Sequence, residues 1–377
     1  SSYTNANLFI SKKQKMKKKL LAVLPVLFTA ILTNAQPTPE ITSYRGAFAP
    51  APTAMWTDNW VNWDPQSTVY PATTVSIPAG THITTNTTWT ASQTYLMQGL
   101  VYVDTLVTLT IEPGTVIRGA TATNASLIVR RGGKVMAEGN QCRPIVFTSN
   151  EAPGSRAVGN WGGVILLGRA RNNTSTQVPI EGLSTADLSN YHGGNDDADN
   201  SGVLKYVRIE WGGIVFAPNN EINGLTMGSV GSGTQIDYVQ VSKINDDGFE
   251  WFGGTVSCRH LVSFQILDDD FDTDLGWRGL VQYALSVKDP AVSDNPTIST
   301  SEGFESDNDP AGTNPGVQPK TAGLFYNVTS IGAFRCASNA NGSGVAPTAA
   351  GFARGLRLRR NTDLKVVNSI FMGHRRG

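Results

Sequence analysis

The chain has 377 residues, 40% hydrophobic and 16% charged, with 30 basic against 30 acidic side chains. Six lysines (Lys12, Lys13, Lys15, Lys17, Lys18 and Lys19) precede residue 36, where there is no acid, so the other 342 residues hold 24 basic against 30 acidic groups. That acidic body excludes general nucleic-acid binding, which needs a basic surface, and eight tryptophans with this apolar content exclude disorder.

The first element in chain order is an export signal. Met16 is followed by Lys17-Lys18-Lys19, an apolar run from Leu20 to Leu32, and Thr33-Asn34-Ala35. A charged start, an apolar middle and small residues at the cut describe a secretory signal peptide over 16–35. Residues 1–15 read as upstream read-through. The run contains Pro25 and is short for a bilayer span. Cleavage after Ala35 leaves Gln36 first, with no cysteine for a lipid anchor. No later stretch reaches about 18 apolar residues, so no transmembrane segment is expected after signal removal.

Residues 36–95 are rich in Pro, Thr and Trp, with Trp56, Trp60 and Trp63 among Asp, Asn and Pro. They read as an irregular N-terminal cap. From residue 96 short β-branched runs alternate with Gly and Asn. Leu109-Thr110-Ile111, Leu127-Ile128-Val129, Ile145-Val146-Phe147 and Val164-Ile165-Leu166 recur at steps of 18 to 19 residues. Gly114-Thr115-Val116-Ile117 and Gly133-Lys134-Val135-Met136 repeat at 19. Short strands at a fixed period near 20 mark a solenoid. The Leu-x-x-Leu-x-Leu pattern of Leu-rich repeats is missing, so 96–377 is expected to be an all-β, right-handed parallel β-helix. Longer steps separate Tyr206–Ile209, Ile236–Val239, Leu261–Phe264 and Leu280–Tyr283. Asp237-Tyr238-Val239-Gln240-Val241 alternates as a strand with one buried side. Large loops are expected at 183–203, 289–323 and 336–354. Insertions in solenoids tend to gather on one face, often the binding face. No segment reads as an amphipathic helix. Cys142, Cys258 and Cys336 lack metal spacing and read as small buried hydrophobes rather than a disulfide.

The chemistry lies in acidic runs. In Asn195-Asp196-Asp197-Ala198-Asp199-Asn200-Ser201-Gly202, the residues Asp197, Asp199, Ser201 and Gly202 match the first half of a calcium loop. The twelfth position is Arg208, so this loop is either a calcium site completed from elsewhere or an Asx-rich turn. Asp268-Asp269-Asp270-Phe271-Asp272-Thr273-Asp274 packs five carboxylates into seven residues, which repel unless a cation or water relieves them. On an extended segment Asp268, Asp270, Asp272 and Asp274 share a side and suit calcium. It is not an EF-hand, because Leu275 and Val281 occupy the sixth and twelfth positions. An acidic solvated turn is the alternative. Asp246, Asp247, Asp269 and Asp270 form a possible catalytic set, because Asp247 and Asp270 are about one coil apart. Paired carboxylates serve glycoside hydrolysis, and a basic residue (Arg278 is nearest) serves proton abstraction beside a uronate. Glu302, Glu305, Asp307 and Asp309 read as flexible surface. Arg357, Arg359 and Arg360 read as a solvated face. Trp161, Trp211, Trp251, Phe252 and Trp277 sit near glycines and read mainly as core, with Asn160-Trp161-Gly162-Gly163 and Trp211-Gly212-Gly213 as repeated corners. The histidines His82, His192, His260 and His374 are scattered, and there is no Gly-His-Gly element.

Several segments together resemble the exported right-handed β-helix proteins abundant in Bacteroidota, many of which end in a type IX secretion sorting domain. They are Thr108–Ile117, Pro144–Ser149, Asn160–Gly163, Tyr206–Glu210, Glu221–Leu225, Phe249–Gly254 and the Asp268–Asp274 run. The resemblance covers roughly residues 56–377 and implies a β-helix fold and a secreted or cell-surface location. It brings no activity. The sequence stops at Gly377 within a coil-like stretch and shows no sorting domain, so it reads as a β-helix with an incomplete C-terminus, and the secretion route stays open. The expectation is a monomeric, non-catalytic adhesin or glycan-binding protein stiffened by calcium. The alternative is a lyase or glycoside hydrolase acting on an acidic polysaccharide.

Overall fold

The structure, a computed structural model, describes residues 38–217, 220–297, 299–335 and 346–376. The signal segment, the read-through and Cys336 lie outside the described residues. Two sheets of parallel strands, fourteen and nine strands in size, make up nearly all regular structure. The chain is a right-handed parallel β-helix. Its one helical element among the described residues is a 3-10 turn at Leu188–Asn190, and no helix is long and apolar enough to cross a membrane.

Short strands suffice because each coil stacks on its neighbours and hands its inward residues to a shared core. Val101, Leu127, Val164, Leu225, Phe249, Phe271 and Phe304 pair coil to coil in one column of the smaller sheet. Each is fully buried. Phe271 packs 5.7 Å from Phe249 and 4.9 Å from Phe304, centroid to centroid. The expected core aromatics Trp161, Trp211, Trp251, Phe252 and Trp277 are all buried. Corner residues Trp161-Gly162-Gly163 and Trp211-Gly212-Gly213 lie in adjacent coils, with Gly213 N donating to Gly162 O at 2.7 Å. A Cβ on Gly212 would collide with that same carbonyl, which is why glycine recurs there.

The recurring step of 18 to 19 residues spans two faces of a coil, not a whole one. Leu109 pairs with Val135, Val116 with Val146 and Leu127 with Val164. Short apolar strands on all three faces look alike in sequence, so the periodicity identified the solenoid but not its phase. The first coil also begins at Val75–Ile77, ahead of the expected boundary at residue 96. Strands Val75–Ile77, Thr81–Ile83 and Thr87–Trp89 each bury only their last residue, too sparse a pattern to read as core.

In early coils the strands Lys134–Glu138 and Ile145–Ser149 are separate. In later coils one residue in the left-handed region bends a continuous strand instead. Tyr206, Tyr238, His260, Tyr283 and Asn327 occupy this bend, and Asn368 the corresponding gap between Lys365–Val367 and Ile370–Met372, with φ between 49° and 63°. Side chains other than Gly, Asn and Asp enter that region at a cost of roughly 1–2 kcal/mol, so the bend needs compensation. Stacking supplies part of it: ring centroids are 4.4 Å apart for Tyr206–Tyr238, 4.2 Å for Tyr238–His260 and 5.0 Å for His260–Tyr283. The bend also interrupts the alternation expected over Asp237–Val241, where Gln240 is buried.

Residues 38–74 supply the rest. They run along the outside of this bend as a strap, opposite to the direction of stacking. Asn327 and Asn368 donate to the Tyr44 carbonyl at 3.3 and 2.7 Å. Trp60 sits edge-on to Tyr206 and Tyr238 at 5.8 and 5.9 Å. Gln240 brackets Asn62, accepting from its N–H and donating to its carbonyl, both at 2.8 Å. The Tyr70 hydroxyl lies 2.9 Å from both oxygens of the buried Glu210 carboxyl, whose pKa burial raises. Cys258 is buried, while Cys142 is exposed on the Asn140–Arg143 turn rather than in the core.

Trp60→Ala should destabilise the fold by about 3–5 kcal/mol, the usual cost of deleting a buried large aromatic. Denaturant unfolding followed by tryptophan fluorescence measures this, and limited proteolysis should show faster cleavage within 38–74. An unchanged midpoint would mean that the strap is passive.

Candidate functional site

Outward residues of the smaller sheet pair coil to coil just as inward ones do. One outward column reads Tyr102, Ile128, Ile165, Thr226, Glu250, Asp272, Glu305, Arg357. Its apolar half is covered by Ile180, Leu183 and Ile222 from two insertions. The cover ends where the acids begin. Beside this column Asp274 follows Phe252, and Asp307 pairs with Arg359. Parallel strands lie ≈ 4.8 Å apart, so in-register carboxylates face like charges at that spacing.

The turn leading into these strands adds a second row. Asp247 N–H donates to Asn223 Oδ1 at 3.2 Å, Asp269 N–H to Asp247 Oδ1 at 2.9 Å and Glu302 N–H to Asp269 Oδ1 at 2.6 Å. Each acid thus fixes the next coil with one oxygen. Glu250 accepts a short hydrogen bond from Asn223 Nδ2. The result is a cleft of about 350 Å3. Ten carboxylates line it, from Glu181, Glu221, Asp246, Asp247, Glu250, Asp268, Asp269, Asp272, Asp274 and Glu305. No lysine, arginine or histidine is among the lining residues.

Burial and mutual repulsion hold these groups toward the protonated form. Burial, then Asp268, raises Asp246 well above the ordinary carboxylate range. Burial, then Asp246 and Asp269, does the same to Asp247. Asp269 is raised by burial, then Asp268 and Asp272. Glu250 is raised by burial, then Glu181 and Asp272, and Asp274 by burial, then Asp272 and Asp307. Asp268, Asp272 and Glu181 are pushed up to about 7, burial again coming first.

At the far end of the column arginines do the balancing. Arg357 pairs with Glu305 at 2.7 Å, Arg359 with Glu305 and Asp307, and Arg360 with Asp307 at 2.8 Å. Among the described residues no ion pair reaches the middle of the column, where Arg359 acts on Asp272 and Asp274, and Lys288 on Asp268 and Asp269, only at longer range. Two groups there, Asp246–Asp247–Asp268 and Asp247–Glu250–Asp272, and a third that reaches the arginine-paired end, Asp269–Asp272–Glu305, each place ligand oxygens within 4.8 Å of one another. Calcium–oxygen bonds of 2.3–2.6 Å put ligands on opposite sides of the ion ~4.6–5.2 Å apart. Buried Asp272 Oδ1 and Asp274 Oδ1 have no hydrogen-bond partner among the described residues. Hard oxygens at this spacing fit a divalent cation.

A family profile for a pectate-lyase-like beta helix domain matches residues 80–377. The chain belongs to that pectate-lyase-like β-helix family. No curated protein and no solved structure matches the chain.

In this pectate-lyase-like chain the expected site residues divide into two sets. Asp246, Asp247, Asp268, Asp269, Asp272 and Asp274 meet in the cleft. Asp270 does not, because the turn swings it inward, where Ser263 Oγ donates to it at 2.7 Å and Lys288 Nζ lies 3.6 Å away. Stacking joins Asp247 to Asp269 rather than to Asp270. Asp197, Asp199 and Ser201 belong to none of the three acidic groupings. Asp197 pairs with Arg171 and, at 3.1 Å, with Arg278, and Asp199 pairs with Arg169 at 2.8 Å. Guanidinium groups therefore stand where a cation was expected, and Arg278 is committed there rather than in the cleft. Glu305 and Asp307 lie on the strand Phe304–Asp307 and not on a flexible surface, and the arginines of Arg357–Arg359 are their partners. Glu302 is buried against Arg354 at 2.8 Å. Sequence reasoning missed Glu181, Glu221 and Glu250 as site residues. Glu250 had a signal, a lone acid alternating with Phe249 and Trp251. Glu181 and Glu221 come from insertions and had none.

A raised carboxyl pKa stabilises the fold at low pH, and that stability is lost as pH rises through the folded value. In a chelator the melting temperature should fall between about pH 4, the unfolded value, and about pH 7, the folded value of Asp268 and Asp272. Calcium should restore it above this window and do little below. Differential scanning calorimetry at several pH values with and without calcium measures both. A melting temperature that climbs across this window in chelator contradicts the account.

Proposed function

We propose that the cleft is a calcium site that binds the carboxylates of an acidic glycan without turning the chain over. The observation that supports this reading is the lining itself: ten carboxylates and no basic side chain. Calcium, when bound, supplies positive charge that protein and sugar carboxylates share. Asp247, Glu250, Asp269 and Asp272 would hold it, because they belong to the close groupings. Phe252 and the insertion residues Ile180, Leu183 and Ile222 wall off one end of the acidic row. Elimination beside a uronate needs a proton-abstracting base, and the cleft lining offers only carboxylates for it, with no lysine, arginine or histidine. The export signal expected over 16–35 supports a location outside the cell, as a monomeric surface or secreted adhesin of the kind the Bacteroidota resemblance implies.

A second reading, hydrolysis or elimination of an acidic polysaccharide, draws on the same raised carboxyls. An acid kept protonated beside an ionised one is the arrangement that glycosidases use. Asp246, Asp247 and Asp269 would then be the working groups. The family description, pectate-lyase-like, also favours this reading.

The two separate cleanly in one assay. Polygalacturonate and alginate are run in affinity electrophoresis with calcium or chelator, and the same mixtures are assayed for new reducing ends and unsaturated sugars. Calcium-dependent retardation, weakened about tenfold or more in Asp272→Asn, with no new chain ends, is the expected result. Release of chain ends that stops in Asp269→Asn would replace this proposal with the enzyme.

A further inference from the structure

A second concentration of charge lies away from the acidic cleft. The strands Leu100–Val103, Ser126–Val129 and Val164–Leu167 stack in register on the smaller sheet. The turns that follow them carry Asp104-Thr105, Arg130-Arg131 and Arg169. Because the strands stack, the turns stack, and with Ser189 of the insertion they enclose a pocket of about 500 Å3. Three guanidinium groups and one carboxylate line it.

The three arginines are not equally committed. Arg130 is held by Asp104 at 2.9 Å and Asp187 at 3.2 Å, with its guanidinium 4.2 Å over the Tyr102 ring. Arg169 spends Nε on Asp199 at 2.8 Å and keeps its two terminal nitrogens out of that pair. Its guanidinium lies over the Gly132 turn, where φ is +80° and a Cβ would sit 3.4 Å from Nη1. Arg131 makes only a long contact to the Gly193 carbonyl, 3.4 Å, and no ion pair among the described residues. Burial, then the neighbouring Arg169, acts against its charge. The Ser189 and Thr105 hydroxyls already donate to Asp187 and to the Arg131 carbonyl, so the donors left on this concavity are two guanidinium forks, Arg131 partly buried and Arg169 half-exposed, a poor resting arrangement and a good oxyanion cradle.

We infer that this pocket binds an oxyanion, a sulfate or carboxylate group, through Arg131 and Arg169. Arg130 holds the floor of the pocket against Asp104 and Asp187. The anion is either free in solution or a substituent of a glycan, and the chemistry that recognises it is the same. This site does not depend on calcium in the acidic cleft, so chelator leaves it intact.

Isothermal titration of the chain from Gln36 in low-salt buffer with chelator tests this. Sodium sulfate, a sulfated oligosaccharide and a uronate oligosaccharide are titrated in turn, with sodium chloride as control. Saturable binding of one of the three, weakened about tenfold or more in Arg131→Gln and in the more exposed Arg169→Gln, is the expected result. Arg131→Lys should recover part of the loss, since charge returns without the fork. Lys365→Gln, on a distant strand, should bind as the parent does. Inorganic sulfate binding as well as either oligosaccharide assigns the site to a free anion, and tighter oligosaccharide binding assigns it to a glycan. Heats no larger than chloride's, or undiminished binding in a folded Arg169→Gln, would overturn the inference.

Discussion

In-register stacking is the constraint on which the rest of this molecule depends. Every residue on a strand of a parallel β-helix meets its counterpart ≈ 4.8 Å away in the next coil. Inside, this turns seven residues into the column from Val101 to Phe304, a core that grows by repetition. Outside, the same rule makes whatever sits at one position recur. Glu250, Asp272 and Glu305 therefore accumulate like charge that a single strand would shed to solvent. The fold relieves it in two ways it can supply itself, protonation in the middle and arginine at the end. A cation would be a third, and the close groupings of oxygens are where it would act.

The same rule governs the bend. One left-handed residue per coil is tolerable when its neighbours stack on it, as Tyr206, Tyr238, His260 and Tyr283 do. Asn327 and Asn368 continue the line with side-chain amides turned to the strap. The strap ties late coils to early ones, from Tyr44 beside Asn368 to Tyr70 on Glu210. It braces the bend mainly through ring stacking and hydrogen bonds, with charged contacts such as Arg259 to Glu40 at 2.8 Å.

The solenoid was legible because short apolar strands between glycines are a repeated local signal. Its phase was not, because strands on three faces share one composition, and Leu109 looks as much like Leu127 as like its true neighbour Val135. The acidic run was legible as chemistry, and alternation placed Asp272 and Asp274 correctly on one side. Asp270 escaped the pattern because a turn, not a strand, sets its direction, and its partner Lys288 lies in the next coil. The Asp197 loop resembles a calcium loop in sequence, but Arg171 and Arg278, which pair with Asp197, come from other segments. Long-range partners of this kind are invisible in a motif. Glu181 and Glu221 reach the cleft from insertions whose placement no local pattern specifies.

The central claim is that the carboxylate column is a cation site. Crystals grown near neutral pH and soaked in a terbium salt would test it through an anomalous difference map. The account predicts peaks within bonding distance of Asp272 and of Asp247 or Asp269, weakened in Asp272→Asn. A map with no peak in the cleft, or with its strongest peak beside Asp197, would contradict it.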